Sequence, residues 1–301
     1  MNVCWLFNLD AEDELAASRR RAEPLPPDPP GNAVETATRA LVDAWVGPDD
    51  KVVPAQGPGP ARSGRRSCAW MVTPRAIARF EELGLSPPPG PPLDVLVRAN
   101  ARESFRDLCS LPRAATATDQ AELEAALLQP ALARRPGSAA RPGWVVRPSL
   151  TNAGRARLLV DEIPPDRRVS ATERAARYAS KHFPSGPLDV APIVDVEEEY
   201  ALHAHLSQEG DLRVGSLVRS TARGGVWRGA ARVDAAPAEA SGIRTGLERV
   251  AERLAGWGYF GPFGIDAIVW TDGRGRRRLH APLEVNARYT MSFAESGLPL
   301  V

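Results

Sequence analysis

The sequence holds little cysteine, almost no lysine, no long apolar run and almost no net charge. Its three cysteines, Cys4, Cys68 and Cys109, are odd in number and far apart. That excludes a disulfide framework and the paired spacing of a zinc site. Cys4 and Cys109 stand among apolar residues and are expected to fill core, in a reducing, cytoplasmic compartment. No apolar stretch approaches the roughly 18 residues of a membrane helix. The opening MNVCWLFNLDAEDEL is too briefly apolar and too acidic to be expected as a signal peptide. A formal net charge of +1 gives no global field toward nucleic acid or an anionic membrane. Lysine occurs only at Lys51 and Lys181, and arginine carries the remaining basic charge. With the abundant Ala and Pro, this reads as a bias of the coding genome. The RRR runs at 19–21 and 276–278 are therefore read as solvated surface. No GxGxxG fingerprint is present, so no dinucleotide site is assigned to the N-terminal region.

What is present is an ordinary globular composition, 43% hydrophobic and 25% charged over 301 residues. This length suits one large domain or two to three smaller ones. Val3–Asn8 predicts a buried strand. Asp10 predicts a helix start, with Glu12, Asp13 and Glu14 complementing the helix dipole; a metal cluster is the rival reading of that acidic run. Pro-rich 24–31 predicts an extended loop, Asn32–Val46 and Pro74–Leu83 helices, and Leu93–Val97 a short strand. This alternation implies a small doubly wound α/β unit. Asn100–Leu108 and a segment from Asp119, with Ala121, Leu123, Leu127 and Leu128 apolar, predict helices. Trp144–Arg147 and Arg157–Asp161 predict antiparallel strands around a loop holding Ser149, Thr151, Asn152 and Gly154. Ser170–His182 and Gly242–Ala255 predict helices. Residues 199–207 alternate strictly, with Tyr200, Leu202, Ala204 and Leu206 on one face and Glu199, His203, His205 and Ser207 on the other. Residues 213–220 are its expected hairpin partner. His182 and His280 are read as ordinary surface or hinge residues, and Trp257, Tyr259, Phe260 and Phe263 as packing beneath the last hairpin.

The most informative stretch is PLEVNARYTMS, 282–292. Period-two alternation puts Glu284, Asn286 and Arg288 on one strand face and Leu283, Val285 and Ala287 on the other. The preceding strand, Ile265–Trp270, joins it through a turn containing Asp272-Gly273. Centring that turn near 274–275 sets Asp266 opposite 282–284. Facing carboxylates destabilise a sheet, whereas a divalent cation converts the cost into a site. A solvated polar face with carboxylate–arginine pairs is the plain alternative.

EVNAR preceded by GPFGIDAIV resembles the C-terminal core of the ATP-grasp superfamily. The resemblance implies Mg²⁺ (Mn²⁺ is the alternative) held by Asp266, Glu284 and Asn286, with Arg288 facing phosphates or the acyl substrate. WVVRPSLTNAGRARLLV resembles the strand–loop–strand over the phosphates and puts Arg147 at the usual basic position. RANARESF supplies Arg102 as the earlier phosphate-binding residue. VAPIVDVEEEYALH resembles the adenine hinge, Ala191, Pro192, Ile193 and Val194, with Glu199 on the ribose; the run Glu197–Glu199 leaves that register open. STARGGVWRG stands in the place of a glycine-rich loop. The likeness spans roughly 95–301 and implies an α/β (α+β) fold. Two subdomains, 99–189 and 190–301, would sandwich a nucleotide cleft, preceded by a doubly wound α/β domain, 1–98. Three departures accompany it: arginine replaces both phosphate lysines, Ala191 stands where an acid is frequent, and only a short tail follows the final motif.

The implied function is an ATP-dependent ligase. ATP would turn a small-molecule or peptide carboxylate into an acyl phosphate for an amine or thiol, with no nucleic acid or membrane partner and a homodimer left open. A nucleotide-binding module without turnover is the second reading. A third is a metalloenzyme using His203, His205 and Glu199.

Overall fold

In the computed structural model, residues 3–19, 42, 45–54, 65–133, 142–151, 156–161, 168–223 and 226–300 are described. Strand β1 (Val3–Leu6) is buried throughout because both its faces are covered. Val3 and Trp5 enter one apolar cluster, and Cys4 and Leu6 enter another. It is the centre of a parallel three-stranded sheet, flanked by β2 (Lys51–Val52) and β3 (Arg66–Ala69). Helix α1 (Ala11–Arg19) carries Glu12, Asp13 and Glu14 in its first turn. Helix α2 (Pro74–Glu82) begins as its sequence dictates, with Thr73 as N-cap accepting from the Ala76 amide and Pro in the first turn. The Pro-rich segment 24–31 lies outside the described residues, as does most of 32–46; residues 42 and 45 within it are helical.

One element departs from its sequence pattern. Leu93–Asn100 is a helix, α3, not the expected strand at Leu93–Val97. Leu96 and Ala99, three residues apart, are its buried pair, and Asp94 sits in its first turn. A five-residue apolar run carries no period of its own, so length and the helical neighbour decide it. The helix expected over Asn100–Leu108 is divided as well. A 3₁₀ turn at Arg102–Phe105 separates α3 from the short helix α4 (Arg106–Cys109).

The second sheet is antiparallel, in the order β4 (Ala115–Ala117), β7 (Leu188–Pro192), β5 (Gly143–Pro148), β6 (Leu158–Asp161). Helix α5 (Gln120–Leu127), capped by Asp119, and helix α6 (Arg168–His182) accompany it. Trp144, Val146, Leu188 and Val190 join Leu123, Leu127, Ala175 and Ala179 in one core. Alternation turns Arg147, Asp189 and Ala191 to the opposite face. Leu128, one of the apolar positions of the expected helix, lies just beyond its end and is exposed.

The third sheet runs β11 (Val226–Arg232), β10 (Val218–Arg223), β8 (Asp195–Leu206), β12 (Gly261–Thr271), β13 (Arg277–Asn286), with β9 (Leu212–Val214) also on β8. The expected partner of β8 is thus two strands, β9 and β10, interrupted at 215–217. Helix α7 (Pro237–Gly256) packs on one sheet face through Ile243, Leu247, Val250 and Leu254, all fully buried. Each such side chain contributes about 1.5–3 kcal/mol. Gly246 permits the close approach: a Cβ there would lie 3.1 Å from the Ala281 carbonyl carbon on β13. The opposite sheet face is left for the cleft. Among the described residues, no helix is long and apolar enough to cross a membrane.

Candidate functional site

The antiparallel register of β12 and β13 pairs Asp266 with Glu284 and Gly264 with Asn286. Directly opposed residues share a face, so Asp266, Glu284 and Asn286 lie together on the side turned away from α7. Strand β8 adds Glu199 opposite Ile268, and His203 opposite Gly264. Gly264 leaves room for that imidazole, since a Cβ there would stand 2.9 Å from His203 Cδ2.

The triad is bonded internally and to arginine. Asn286 Nδ2 donates to Asp266 Oδ2 at 3.1 Å. Arg102 Nη2 reaches Glu284 Oε1 at 2.5 Å, and Arg147 Nη1 reaches Glu284 Oε2 at 3.4 Å. Arg102 also donates to Pro148 O at 2.8 Å and Thr151 Oγ1 at 3.0 Å, tying the 3₁₀ turn to the loop after β5. Asn152 and Gly154 of that loop lie outside the described residues. Arg147 forms a second ion pair with Asp189, 2.6 Å, across the β5–β7 register. The two basic positions therefore converge on one carboxylate from two separate elements.

Charge balance differs between the two facing acids. Burial, reinforced by the Glu284 charge, pushes the Asp266 carboxyl from 3.8 up to about 7. Burial also raises Glu284, but Arg102, Arg147 and Arg288 outweigh it and hold that carboxyl below its usual range. Burial opposes the Arg147 charge, and Asp189 and Glu284 more than offset it.

An expected outcome follows for the metal-free protein. Between pH 3.8 and about 7, folded Asp266 keeps a proton that the unfolded chain releases. Stability therefore falls as pH rises through that window. Asp266→Asn removes this loss. In chelator, its melting temperature should exceed that of wild type at pH 8 and match it near pH 4. An equal difference at both pH values would contradict the assignment.

Arg288 is placed differently from its expected role. Its guanidinium is buried, donating through Nε to Glu12 Oε1 on α1 and through Nη1 to Asn286 Oδ1 at 2.6 Å. It ties the motif to the N-terminal helix instead of pointing into the cleft alone. The acidic run 12–14 is thus partly spent on this pair. Asn286 presents nitrogen to Asp266 and oxygen to Arg288, so ligating a cation through Oδ1 requires the amide to turn.

At the expected hinge, Ala191 pairs with Val145, and the Ile193 amide donates to Gly143 O at 2.9 Å. Val194 O accepts from the Val196 amide at 3.1 Å. Ala191 and Pro192 end β7, and Ile193 and Val194 lead into β8. The structure separates the three consecutive acids that follow. Glu197 and Glu198 are engaged by Arg277, at 2.9 and 3.3 Å. Glu199 is half-buried, has no side-chain partner among the described residues, and is raised by burial alone.

His203 is fully buried and pushed down to about 3 by burial. Its Nε2 meets Thr290 Oγ1 at 2.7 Å and Ser292 Oγ at 3.2 Å, anchoring the segment after the motif. Among the described residues, no three His, Cys, Asp or Glu side chains form a metal cage. The reading of His203, His205 and Glu199 as zinc ligands therefore lacks its geometry. His280 is partly buried, with Nε2 on Cys109 O at 2.9 Å.

Sequence reasoning missed Glu12, Asp189 and Asn100. Asn100 brackets Ala287, accepting from its amide at 3.1 Å and donating to its carbonyl at 3.4 Å. Its place two residues before Arg102 was the one available signal.

No protein-family model matches the sequence, and no curated protein matches it significantly. Solved structures match it along nearly all its length. D-alanyl-alanine synthetase A from Vibrio cholerae O1 biovar eltor str. N16961 is 13% identical with a TM-score of 0.51, over 95% of this chain and 88% of that one. A D-cycloserine synthetase is 12% identical with a TM-score of 0.50, over 98% and 97%. N5-carboxyaminoimidazole synthetase from Staphylococcus aureus, complexed with ADP, is 8% identical with a TM-score of 0.50, over 96% and 71%. At these identities the likeness is one of fold.

Proposed function

The chain has the ATP-grasp fold, and from it we propose an ATP- and Mg²⁺-dependent ligase that activates a carboxylate as an acyl phosphate for attack by an amine or thiol. The observation that carries this reading is the meeting of Asp266, Glu284 and Asn286 with Arg102 and Arg147 at one point of the cleft. The donor set fits the metal. Two carboxylates and an amide are hard oxygen ligands, and burial with the facing Glu284 charge pushes one of the carboxyls to about 7. Asp266, Glu284 and Asn286 would hold Mg²⁺, which would neutralise charge on the transferring phosphoryl group.

The chain's own groups do the positioning. Arg102 and Arg147 would exchange Glu284 for phosphate oxygens as Glu284 turns to the cation. Arginine presents a planar fork where lysine is a point charge, so two guanidiniums can bracket a tetrahedral phosphate. Residues 191–194 would lie against the base. Glu199, with no competing side-chain partner among the described residues, would take the ribose hydroxyls. The substrate carboxylate oxygen bonds to the γ-phosphorus as the bond to ADP breaks. The amine or thiol then bonds to the acyl carbon, phosphate leaves, and the nucleophile gives up its proton. The fold needs only to align these partners.

One observation favours binding without turnover: both phosphate-directed arginines are already neutralised by Glu284 and Asp189. ADP and phosphate release across a panel of carboxylates and amines separates the readings, since a module binds nucleotide and releases nothing. Arg147→Ala should weaken ATP at least about tenfold, the size of a lost charge-assisted contact. Unchanged affinity in a folded variant would remove Arg147 from the phosphate site.

A further inference from the structure

Arg19, the last residue of α1, reads from sequence as solvated surface, yet it packs against the elements that carry Arg102. Its Nη1 donates to Glu103 Oε1 at 2.8 Å and to Ser149 Oγ at 3.2 Å. Ser149 Oγ in turn donates to Glu103 Oε2. The Glu103 carboxylate therefore holds the N-terminal helix with one oxygen and the residue after β5 with the other. An isolated exposed ion pair contributes little. This one is largely shielded, at 23% and 27% exposure, and shares a buried hydroxyl, so its geometry is fixed.

The neighbouring turn is shaped around the same guanidinium. Gly186 has a φ of +129°, a conformation open to glycine, and a Cβ there would stand 2.6 Å from Arg19 Nη1. The Ser149 amide donates to Pro187 O in that turn at 3.0 Å. The end of α1, the 3₁₀ turn, the end of β5 and the approach to β7 thus meet at Arg19, Glu103 and Ser149.

Arg102 sits on this junction. It directly precedes Glu103 in the 3₁₀ turn. Ser149 O accepts from the Arg102 amide and from Arg102 Nη1, each at 3.3 Å. The residue whose hydroxyl is held by Arg19 and Glu103 therefore holds Arg102 with its carbonyl. Nη1 also donates to Pro148 O and Thr151 Oγ1, while Nη2 reaches Glu284. One arm of the fork is fixed to the frame and the other faces the cleft. Only the second needs to change partner when a phosphate arrives, and a guanidinium ordered beforehand loses less freedom on binding.

We propose that Arg19, Glu103 and Ser149 are positioning residues for Arg102, so that the N-terminal helix tunes phosphate affinity through Arg102 with no nucleotide contact of its own. This rests on the reading of Arg102 as a phosphate ligand and is independent of turnover.

The test is a double-mutant cycle on the full chain. Calorimetry reads the affinity for a non-hydrolysable ATP analogue with Mg²⁺, and thermal melts read stability. Arg19→Ala and Ser149→Ala should each weaken the analogue about fivefold, the size of one hydrogen bond. In an Arg102→Met background the same substitutions should change affinity by less than about twofold, the ordinary limit of additivity. The loss of melting temperature caused by Arg19→Ala should persist in both backgrounds, which separates positioning from simple support of the fold. Ser149→Ala, which removes only a hydroxyl, carries the test if Arg19→Ala does not fold. Wild-type affinity in the folded Arg19→Ala and Ser149→Ala proteins, beside weakened binding by Arg102→Met, would overturn the proposal and leave Arg102 in the phosphate site. Equal losses with and without Arg102 would overturn it as well, since the effect would not pass through that residue. Unchanged affinity in Arg102→Met would overturn the phosphate reading of Arg102 and this proposal together.

Discussion

Glu284→Gln should slow ATP turnover about a hundredfold or more and also lower the melting temperature of the metal-free protein. The kinetic effect follows from charge. Metal and phosphate interactions supply several kcal/mol in such reactions, and about 2.7 kcal/mol is a hundredfold. The stability effect reverses the expectation from sequence, where facing carboxylates suggest that removing one relieves repulsion. The structure gives Glu284 two guanidinium partners, at 2.5 and 3.4 Å. It also leaves Asp266 largely protonated below about 7, so at pH 6 there is little repulsion to relieve. Two lost charge-assisted bonds, about 1–3 kcal/mol in a partly buried site, therefore decide the sign. Relief belongs to Asp266→Asn. Thermal melts of both variants at pH 6 and pH 8, beside steady-state ADP release, check the two halves. A Glu284→Gln protein with wild-type turnover would remove Glu284 from the metal site.

Breaking the Glu12–Arg288 pair should have the largest effect on folding. The two side chains are 3% and 6% exposed, and Glu12 Oε2 has no hydrogen-bond partner among the described residues. Glu12→Ala removes the Glu12 counter-charge from a buried guanidinium, a loss of about 3–5 kcal/mol. Replacing both partners, Glu12→Met with Arg288→Leu, removes the charges together and should cost much less, because apolar pairs of similar volume substitute well for buried ion pairs. Denaturant midpoints compare the single and double variants. A single variant as stable as the double would show that the pair carries no such strain of charge. The double variant, folded but without Arg288, should lose affinity for carboxylate substrates and keep nucleotide binding.

What was legible in the sequence was local. Turn chemistry at Asp272-Gly273 and alternation on either side place Asp266 opposite 282–284; the pairing of Ile268 with His280 would continue to Pro282, and an irregularity between Asp266 and Ile268, which the sequence does not announce, brings Glu284 opposite instead. Thr73 and Pro74 announce α2. The strand expected at Leu93–Val97 failed because five apolar residues fit either period, and packing of Leu96 and Ala99 chose the helix. The partners of the site were not legible for a different reason. Glu12 and Arg288 are 276 residues apart, and Asn100 and Ala287 are 187 apart. Nothing in either local pattern specifies the other. Arg288 alone reads as a cleft residue, and only the position of α1 shows what it holds. The run Glu197–Glu199 was ambiguous for the same cause: Arg277, across the sheet, claims the first two acids and leaves Glu199.

In the proposed site Asp266, Glu284 and Asn286 hold a cation that joins nucleotide to the cleft. Calorimetric titration of a non-hydrolysable ATP analogue, with Mg²⁺ and with chelator, into wild type and Asp266→Asn tests it most directly. Mg²⁺ should tighten binding to wild type at least about tenfold, and Asp266→Asn should abolish the metal-dependent part while leaving the weak metal-free binding by Arg102 and Arg147. Binding of equal strength with and without Mg²⁺, or an unaltered Mg²⁺ response in folded Asp266→Asn, would contradict it.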